Sequence, residues 1–364
     1  MRIKYTVWLS VLGAGLLAGL YTMVRLFLEG HILFNANDVV IWTLPIGSYV
    51  FFALTSSGLG LLSSLGFLFG VRTYKRAGKR LVLLAIAAVL AAFVSVGLEL
   101  GSLNHIYYIF LSPNFGSPIQ IMGSIYSIEL VCLLGKFWRL HVNDAQSGVS
   151  KLFGIGSFVC SLFAPLVLGS VFGITEARPT FFGSFLPVLC LVIAVVSGVA
   201  AFMVYTVIHS LVVKGPYREA NDLLLEDLAV KHTFTLFIAL LFYLLWAILR
   251  SATSLPDFAT DVNFALALFL FIPFAMGLVP AIRASHWGKL VAGGLTLITI
   301  FKLHMEVLLG GQVRPVGPKA EGLPAVLSYS PSIWEYLVLV FSLAVLLSLA
   351  TFAEKYLRLD AEAA

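Results

Sequence analysis

FNANDVVIWTLPIGSYVFFALTSSGLGLLSSLGFLFG, residues 34–70, sets two asparagines, an aspartate and a tryptophan against a run, 39–70, that carries no charged side chain. The run does not alternate apolar with polar residues as a barrel strand would. It is also longer than the roughly 20 residues a helix needs to cross a bilayer core of about 30 Å. Lipid offers no partner for free backbone groups, so such a run reads as a spanning helix. The polar cluster before it then lies where the chain enters the membrane.

The same pattern recurs along the chain. Of its 364 residues, 60% are apolar and 11% charged. The fold class is all-α: a polytopic membrane protein of about ten spanning helices, expected at 3–28, 40–69, 81–101, 118–141, 152–173, 182–213, 234–250, 262–283, 287–310 and 332–356. The first run is read as a span rather than a signal peptide, because it is long for that role and shows no obvious cleavage site. The polar stretch 214–231 is expected to be an amphipathic segment at the inner surface, and 311–331 a Gly- and Pro-rich outer loop.

Lys and Arg fix the orientation. Arg72, Lys75, Arg76, Lys79 and Arg80 fall in the junction after the second run, Lys136, Arg139 and Lys151 around the junction after the fourth, and Lys214, Arg218 and Lys231 after the sixth. Those loops are assigned to the cytoplasm, with both termini inside. The net charge of +5 thus follows from topology and gives no reason to expect nucleic-acid binding.

What is missing narrows the chemistry. Cys132, Cys160 and Cys190 are far apart and lie within apolar runs, so they supply neither a disulfide framework nor a zinc or iron–sulfur ligand set. A membrane haem needs two histidines at one depth. His141 and His209 fall near the inner surface and His31, His105 and His304 near the outer one. The expectation is no metal or haem in this chain, a pair among the outer three histidines being the one way it fails. No phosphate-binding loop is present.

Ionisable groups within lipid are costly and mark function. At the outer side, Asn35, Asn37 and Asp38 precede the second run, Glu99 closes the third, and His105, Tyr107 and Tyr108 follow. Interfacial Asn, His, Tyr and Trp also form headgroup belts, so the carboxylates Asp38 and Glu99 carry more of the functional reading. In the fourth run Tyr126, Glu129 and Lys136 fall within an arc of about 80° at 100° per residue. Glu129 is roughly 16 Å below Pro118, near mid-membrane. It is either a neutral acid bonded to a neighbouring helix or a proton relay, with His141 further along. Lys302 and Glu306 stand one turn apart and can pair. In the second run Ser56, Gly60 and Ser64 repeat at a spacing that lets another helix approach closely.

These residues resemble a known family, the NrfD/PsrC-type (polysulfide reductase membrane-subunit) quinone-interacting proteins, in its long ten-helix branch. The resemblance is carried by VIWTLPIGSYVFFALTSSGLGLLSSLGFLFG at 40–70, LELGSLNH at 98–105, SPNFGSPIQIMGSIYSIEL at 112–130 and YSPSIWEYLVL at 329–339. It implies two four-helix bundles with one flanking helix at each end: 1–30 the first helix, 31–173 the first bundle with the quinone site, 174–310 the second bundle, and 311–364 the outer loop and last helix. It implies menaquinone or ubiquinone as the redox partner molecule. It also implies a ferredoxin-like iron–sulfur subunit on the outer face, often joined in such complexes by molybdopterin or multihaem cytochrome c subunits, in a prokaryotic cytoplasmic membrane. Carried over by position, the quinone-binding residues would be Asn35, Asn37 or Asp38 and Tyr126, with Tyr107 and Tyr108 competing for the tyrosine's place; in such a pocket Trp42 would pack the ring and Asp38, Glu99 or His105 would handle protons. Glu129, Lys136, His141, Lys302 and Glu306 would line a proton path. The family's LGRP after the third-helix acid is here Leu100, Gly101, Ser102 and Leu103, which leaves Glu99 without that arginine. Two rivals share the composition. A secondary transporter would need matched broken helices, and Pro165, Pro187 and Pro273 do not match. A structural anchor would bind no quinone.

Overall fold

The computed structural model describes residues 2–101, 105–176, 178, 182–212, 216–252, 269–317, 320–357 and 359. Helices are the main regular elements among the described residues, with no strand there, and nine of these helices are long and apolar enough to cross a membrane. The long ones are α1 (Arg2–Glu29), α2 (Leu44–Phe67), α4 (Gly78–Glu99), α6 (Pro118–His141), α7 (Gly148–Gly173), α8 (Phe185–Val212), α9 (Pro216–Ala252), α12 (His286–Gly310) and α13 (Ile333–Tyr356). Short helices are α3 (Arg72–Arg76), α5 (Tyr108–Leu111), α10 (Phe271–Leu278) and α11 (Pro280–Ala284). The span expected at 262–283 begins outside the described residues, as does Asn104 of the 98–105 motif.

One expectation is corrected. The polar stretch 214–231 is not a separate surface segment: from Pro216 it continues without a break into the apolar run at 234–250, as the single helix Pro216–Ala252. At 1.5 Å per residue it is about 55 Å long, so its polar first half extends past a bilayer core. Asp227 there accepts the Tyr74 hydroxyl at 2.5 Å, which ties the polar half of the helix to α3.

Helices α2, α4, α6 and α7 touch in a ring, and α8, α9, α10 and α12 in a second. The seam between them is α2 against α8. There Gly58 and Gly198 face one another: a Cβ on Gly58 would lie 1.8 Å from the Ala194 carbonyl, and one on Gly198 2.3 Å from the Gly58 carbonyl carbon. Such backbone contact is what small residues permit where apolar lipid supplies no hydrophobic drive between helices. Gly60, from the small-residue repeat, points instead at α7, where a Cβ would lie 2.2 Å from Ser161 Oγ. Helix α13 packs on α1, α4 and α2, so the last helix reaches the first ring directly.

Candidate functional site

At one end of the bundle, the start of α2 gathers acceptors from distant parts of the chain. Pro45 stands in its first turn, where its fixed φ suits a helix start and its missing N–H costs nothing. The remaining amides there need partners. Thr43 N–H and Thr43 Oγ1 both donate to Glu99 Oε1, at 3.2 and 2.8 Å. Leu44 N–H donates to Tyr329 Oη at 3.2 Å and to Glu335 Oε2 at 3.4 Å. Ile46 N–H closes on the Thr43 carbonyl at 3.1 Å. Two carboxyl groups therefore bond to consecutive amides of a helix N-terminus, where the positive end of the helix dipole favours them.

The stretch leading in is pinned just as firmly. Asn37 Oδ1 accepts from Val39 and Val40 N–H at 2.9 and 2.8 Å, a turn built by its own side chain. Gln312, 4% exposed, accepts from Ile41 and Trp42 N–H at 2.9 Å each. Its amide donates to the Trp42 carbonyl at 3.0 Å. Arg178 binds the carbonyls of Gly311, Gln312 and Arg314, holding that turn in place. Asn35 N–H donates to Glu335 Oε1 at 2.7 Å, and its side chain to the Ser330 carbonyl at 2.8 Å. The Trp42 ring stands edge-on to Phe172, their centroids 5.3 Å apart.

Glu335 is fully buried and spreads its two oxygens over Asn35, Leu44 and the Tyr329 hydroxyl. Burial, and then the bond to Glu335, hold the Tyr329 phenol well above the ordinary tyrosine range, so it stays a proton donor. Glu99 is different. Its Oε1 is taken by Thr43, but Oε2 is buried with no hydrogen-bond partner among the described residues. An unpaired buried carboxyl oxygen costs about 1–3 kcal/mol.

Of the residues the sequence put forward at this end, Glu99 and Trp42 join Thr43, while Asn35 and Asn37 shape the backbone around it. Asp38 lies beside them with an exposed side chain. His105 stacks on Tyr108, and Tyr108 packs on Tyr107, in an exposed aromatic group beyond α4. Gln312, Tyr329 and Glu335 were missed as site residues. A signal for Glu335 was present: Ser332 and Glu335 have capping-box spacing. Ser332 Oγ does accept the Glu335 N–H, at 3.3 Å. The carboxylate, however, turns away to Asn35, three hundred residues distant.

Deeper down, the α6 stripe is fully buried at Tyr126, Glu129 and Lys136. Tyr126 lies edge-on to Tyr49, with centroids 6.2 Å apart. Glu129 accepts from Ser161 at 2.7 Å and Ser57 at 3.2 Å. Lys136 donates to Ser63 at 2.8 Å and Ser157 at 3.4 Å, with its ammonium 5.0 Å from the Phe67 ring centre. Hydroxyls from α2 and α7 thus solvate an acid and a base inside the first ring. His141 is exposed and stacks on Phe137. Lys302 is exposed and Glu306 half-buried, and among the described residues no ion pair joins them. His304 points the other way, edge-on to Phe51, and lines a cavity of ≈ 30 Å³ with Tyr243 and Phe172.

At the opposite end Arg80 bonds Glu354 at 2.8 Å and His209 at 3.1 Å. Asn221 meets the other ring nitrogen of His209 at 2.8 Å. That network ties α4, α8, α9 and α13 together. No group of three or more metal-binding side chains occurs among the described residues.

Comparison with known proteins agrees with the architecture. The chain is 24% identical over 270 residues to a selenate reductase subunit of Mesobacillus selenatarsenatis, an alignment covering 64% of this chain and 62% of the relative. It is 25% identical over 221 residues to a putative dimethyl sulfoxide reductase membrane subunit of Halobacterium salinarum, covering 55% of this chain and 51% of the relative. The alignments thus span less than two thirds of either relative. A family model described as polysulphide reductase, NrfD, matches residues 32–316, and the chain belongs to that family.

Proposed function

We propose that the chain is the quinone-reactive membrane subunit of a respiratory redox complex, taking up or releasing quinol electrons at the Thr43 end. The observation that carries this reading is Glu99 Oε2. It is a buried carboxyl oxygen with no partner among the described residues, beside a helix N-terminus. As a carboxylate it accepts a quinol hydroxyl proton; as an acid it donates to a quinone carbonyl. Thr43 positions it through two bonds, and the neighbouring Trp42, its backbone held by Gln312 and its ring set edge-on to Phe172, supplies an aromatic side chain at the same chain entry. The buried position of Glu99 favours it over the exposed Asp38 as the proton-handling acid.

The electrons pass to or from an iron–sulfur subunit, and the reductase names of the two relatives favour a reductase as the catalytic part of the complex. The Lys and Arg distribution favours the outer face of the cytoplasmic membrane for the Thr43 end. Tyr126, Glu129 and Lys136, with their serines, give protons an internal route along α6.

The test is to purify the chain with whatever accompanies it, extract its lipids and measure quinone and iron. Stoichiometric quinone with an iron-containing partner, and loss of quinol oxidation in Glu99→Gln, are expected. Absence of both quinone and iron would leave a transporter or an anchor.

A further inference from the structure

Four lysines and arginines are at most 7% exposed among the described residues: Lys79, Arg80, Lys136 and Lys289. Side chains of this kind are seldom so buried unless their charge is paired. Three of the four follow that rule. Arg80 donates to Glu354 and meets His209, Lys136 donates to Ser63 and Ser157, and Lys289 donates to the Ala284 carbonyl at 3.1 Å. Lys79 has no hydrogen bond or ion pair among the described residues. Three carboxylates at that end of the bundle are already engaged: Glu354 by Arg80, Asp144 by Arg139 and Asp227 by Lys231.

Lys79 is the second residue of α4, at the end opposite Thr43. Leu83, one turn on along the same face, packs with Phe137 of α6 and with Ala353, Leu357 and Leu359 at the end of α13. A Cβ on Gly78 would lie 4.0 Å from Leu140 of α6. Lys79 thus stands where α4, α6 and α13 meet. Its stem is packed, but the ammonium keeps an opening, since the nitrogen is not among the sealed side-chain atoms that lack a partner. Arg72, Lys75 and Arg76 on α3, just before it in the chain, are exposed and add to the positive field.

We infer that Lys79 binds the phosphate of an anionic phospholipid headgroup, on the face that the Lys and Arg distribution assigns to the cytoplasm. A phosphodiester supplies the negative charge and the acceptor oxygens that this ammonium lacks within the fold. Two observations favour a lipid over free phosphate as its source. The site lies at the ends of three spanning helices, where headgroups gather. Trp138 on α6 and Phe352 on α13, the sequence neighbours of Phe137 and Ala353, are exposed and offer apolar side chains to the acyl chains. The bound lipid would splint α13, which lies beyond the family match at 32–316, to α4 and α6. This site is remote from the Thr43 end and does not rest on the quinone reading.

The chain is purified with whatever accompanies it in a non-ionic detergent, and its melting temperature is followed as phosphatidylglycerol, phosphatidylcholine or inorganic phosphate is added. Retained phospholipid is counted by phosphorus analysis. Phosphatidylglycerol is expected to raise the wild-type melting temperature, with phosphatidylcholine and inorganic phosphate giving less than about half that shift. Lys79→Gln should lose at least about half of the phosphatidylglycerol shift and carry about one phospholipid fewer per chain. Lys79→Arg keeps both, and so does Lys75→Gln, which removes an exposed charge from α3. If Lys79→Gln does not purify, Lys79→Met, which keeps the packed stem, takes its place. An undiminished phosphatidylglycerol shift in the Lys79 variant, or an equal loss in Lys75→Gln, overturns the inference. Phosphatidylcholine matching phosphatidylglycerol overturns the anionic headgroup, and inorganic phosphate matching it overturns the lipid source.

Discussion

Glu99, at the end of α4, and Glu335, in the first turn of α13, accept hydrogen bonds from the consecutive amides of Thr43 and Leu44. They differ in one respect that matters for chemistry: Glu335 has both oxygens occupied, and Glu99 Oε2 has no hydrogen-bond partner among the described residues.

Replacing Glu99 by Gln keeps an acceptor for Thr43 but removes the proton-carrying carboxyl. Quinol-linked turnover should fall by about 10²-fold or more, with bound quinone and assembly retained. Steady-state rates beside quinone extraction check this. By contrast, Asp38→Asn should reduce turnover far less, since Asp38 is exposed.

Glu129→Gln keeps hydrogen-bonding atoms opposite Ser57 and Ser161 but cannot exchange a proton. Electron transfer should persist while acidification or alkalinisation of reconstituted vesicles is lost. Undiminished proton movement would remove Glu129 from the route. Ser161→Ala deletes one bond to that carboxylate and should cost about 1 kcal/mol, read as a lower melting temperature in detergent.

The α2–α8 seam permits no side chain at Gly58 or Gly198. Gly58→Ala forces the backbones apart and should destabilise by about 1–3 kcal/mol. Gly97→Ala is the control, since a Cβ there meets nothing within 4 Å. Thermal unfolding of the two variants side by side separates packing from propensity.

Arg80 and Glu354 form an ion pair whose side chains are 9% and 26% exposed. Removing either partner alone should cost about 2 kcal/mol, and removing both should cost less than the sum of the single losses. Unfolding midpoints across a double-mutant cycle measure that coupling.

The sequence by itself determined the class. Uncharged runs longer than a bilayer is thick admit only spanning helices, because backbone groups in lipid must pair within the segment. It also determined which face of α6 is buried, since Tyr126, Glu129 and Lys136 follow from 100° per residue alone. The uninterrupted helix Pro216–Ala252 was not legible, because polarity reports where a segment meets water, and a helix that extends past the membrane carries both kinds of residue. Likewise, only tertiary structure brought Gln312, Tyr329 and Glu335 to Thr43. Periodicity describes one helix at a time, and these contacts join residues about 270 to 300 positions apart. Asn35 and Asn37 read in sequence as free headgroup ligands, yet the fold uses much of their hydrogen-bonding capacity to shape the chain. Among the described residues, the acid left with an unpartnered buried oxygen is Glu99, because Thr43 occupies only one side of its carboxyl.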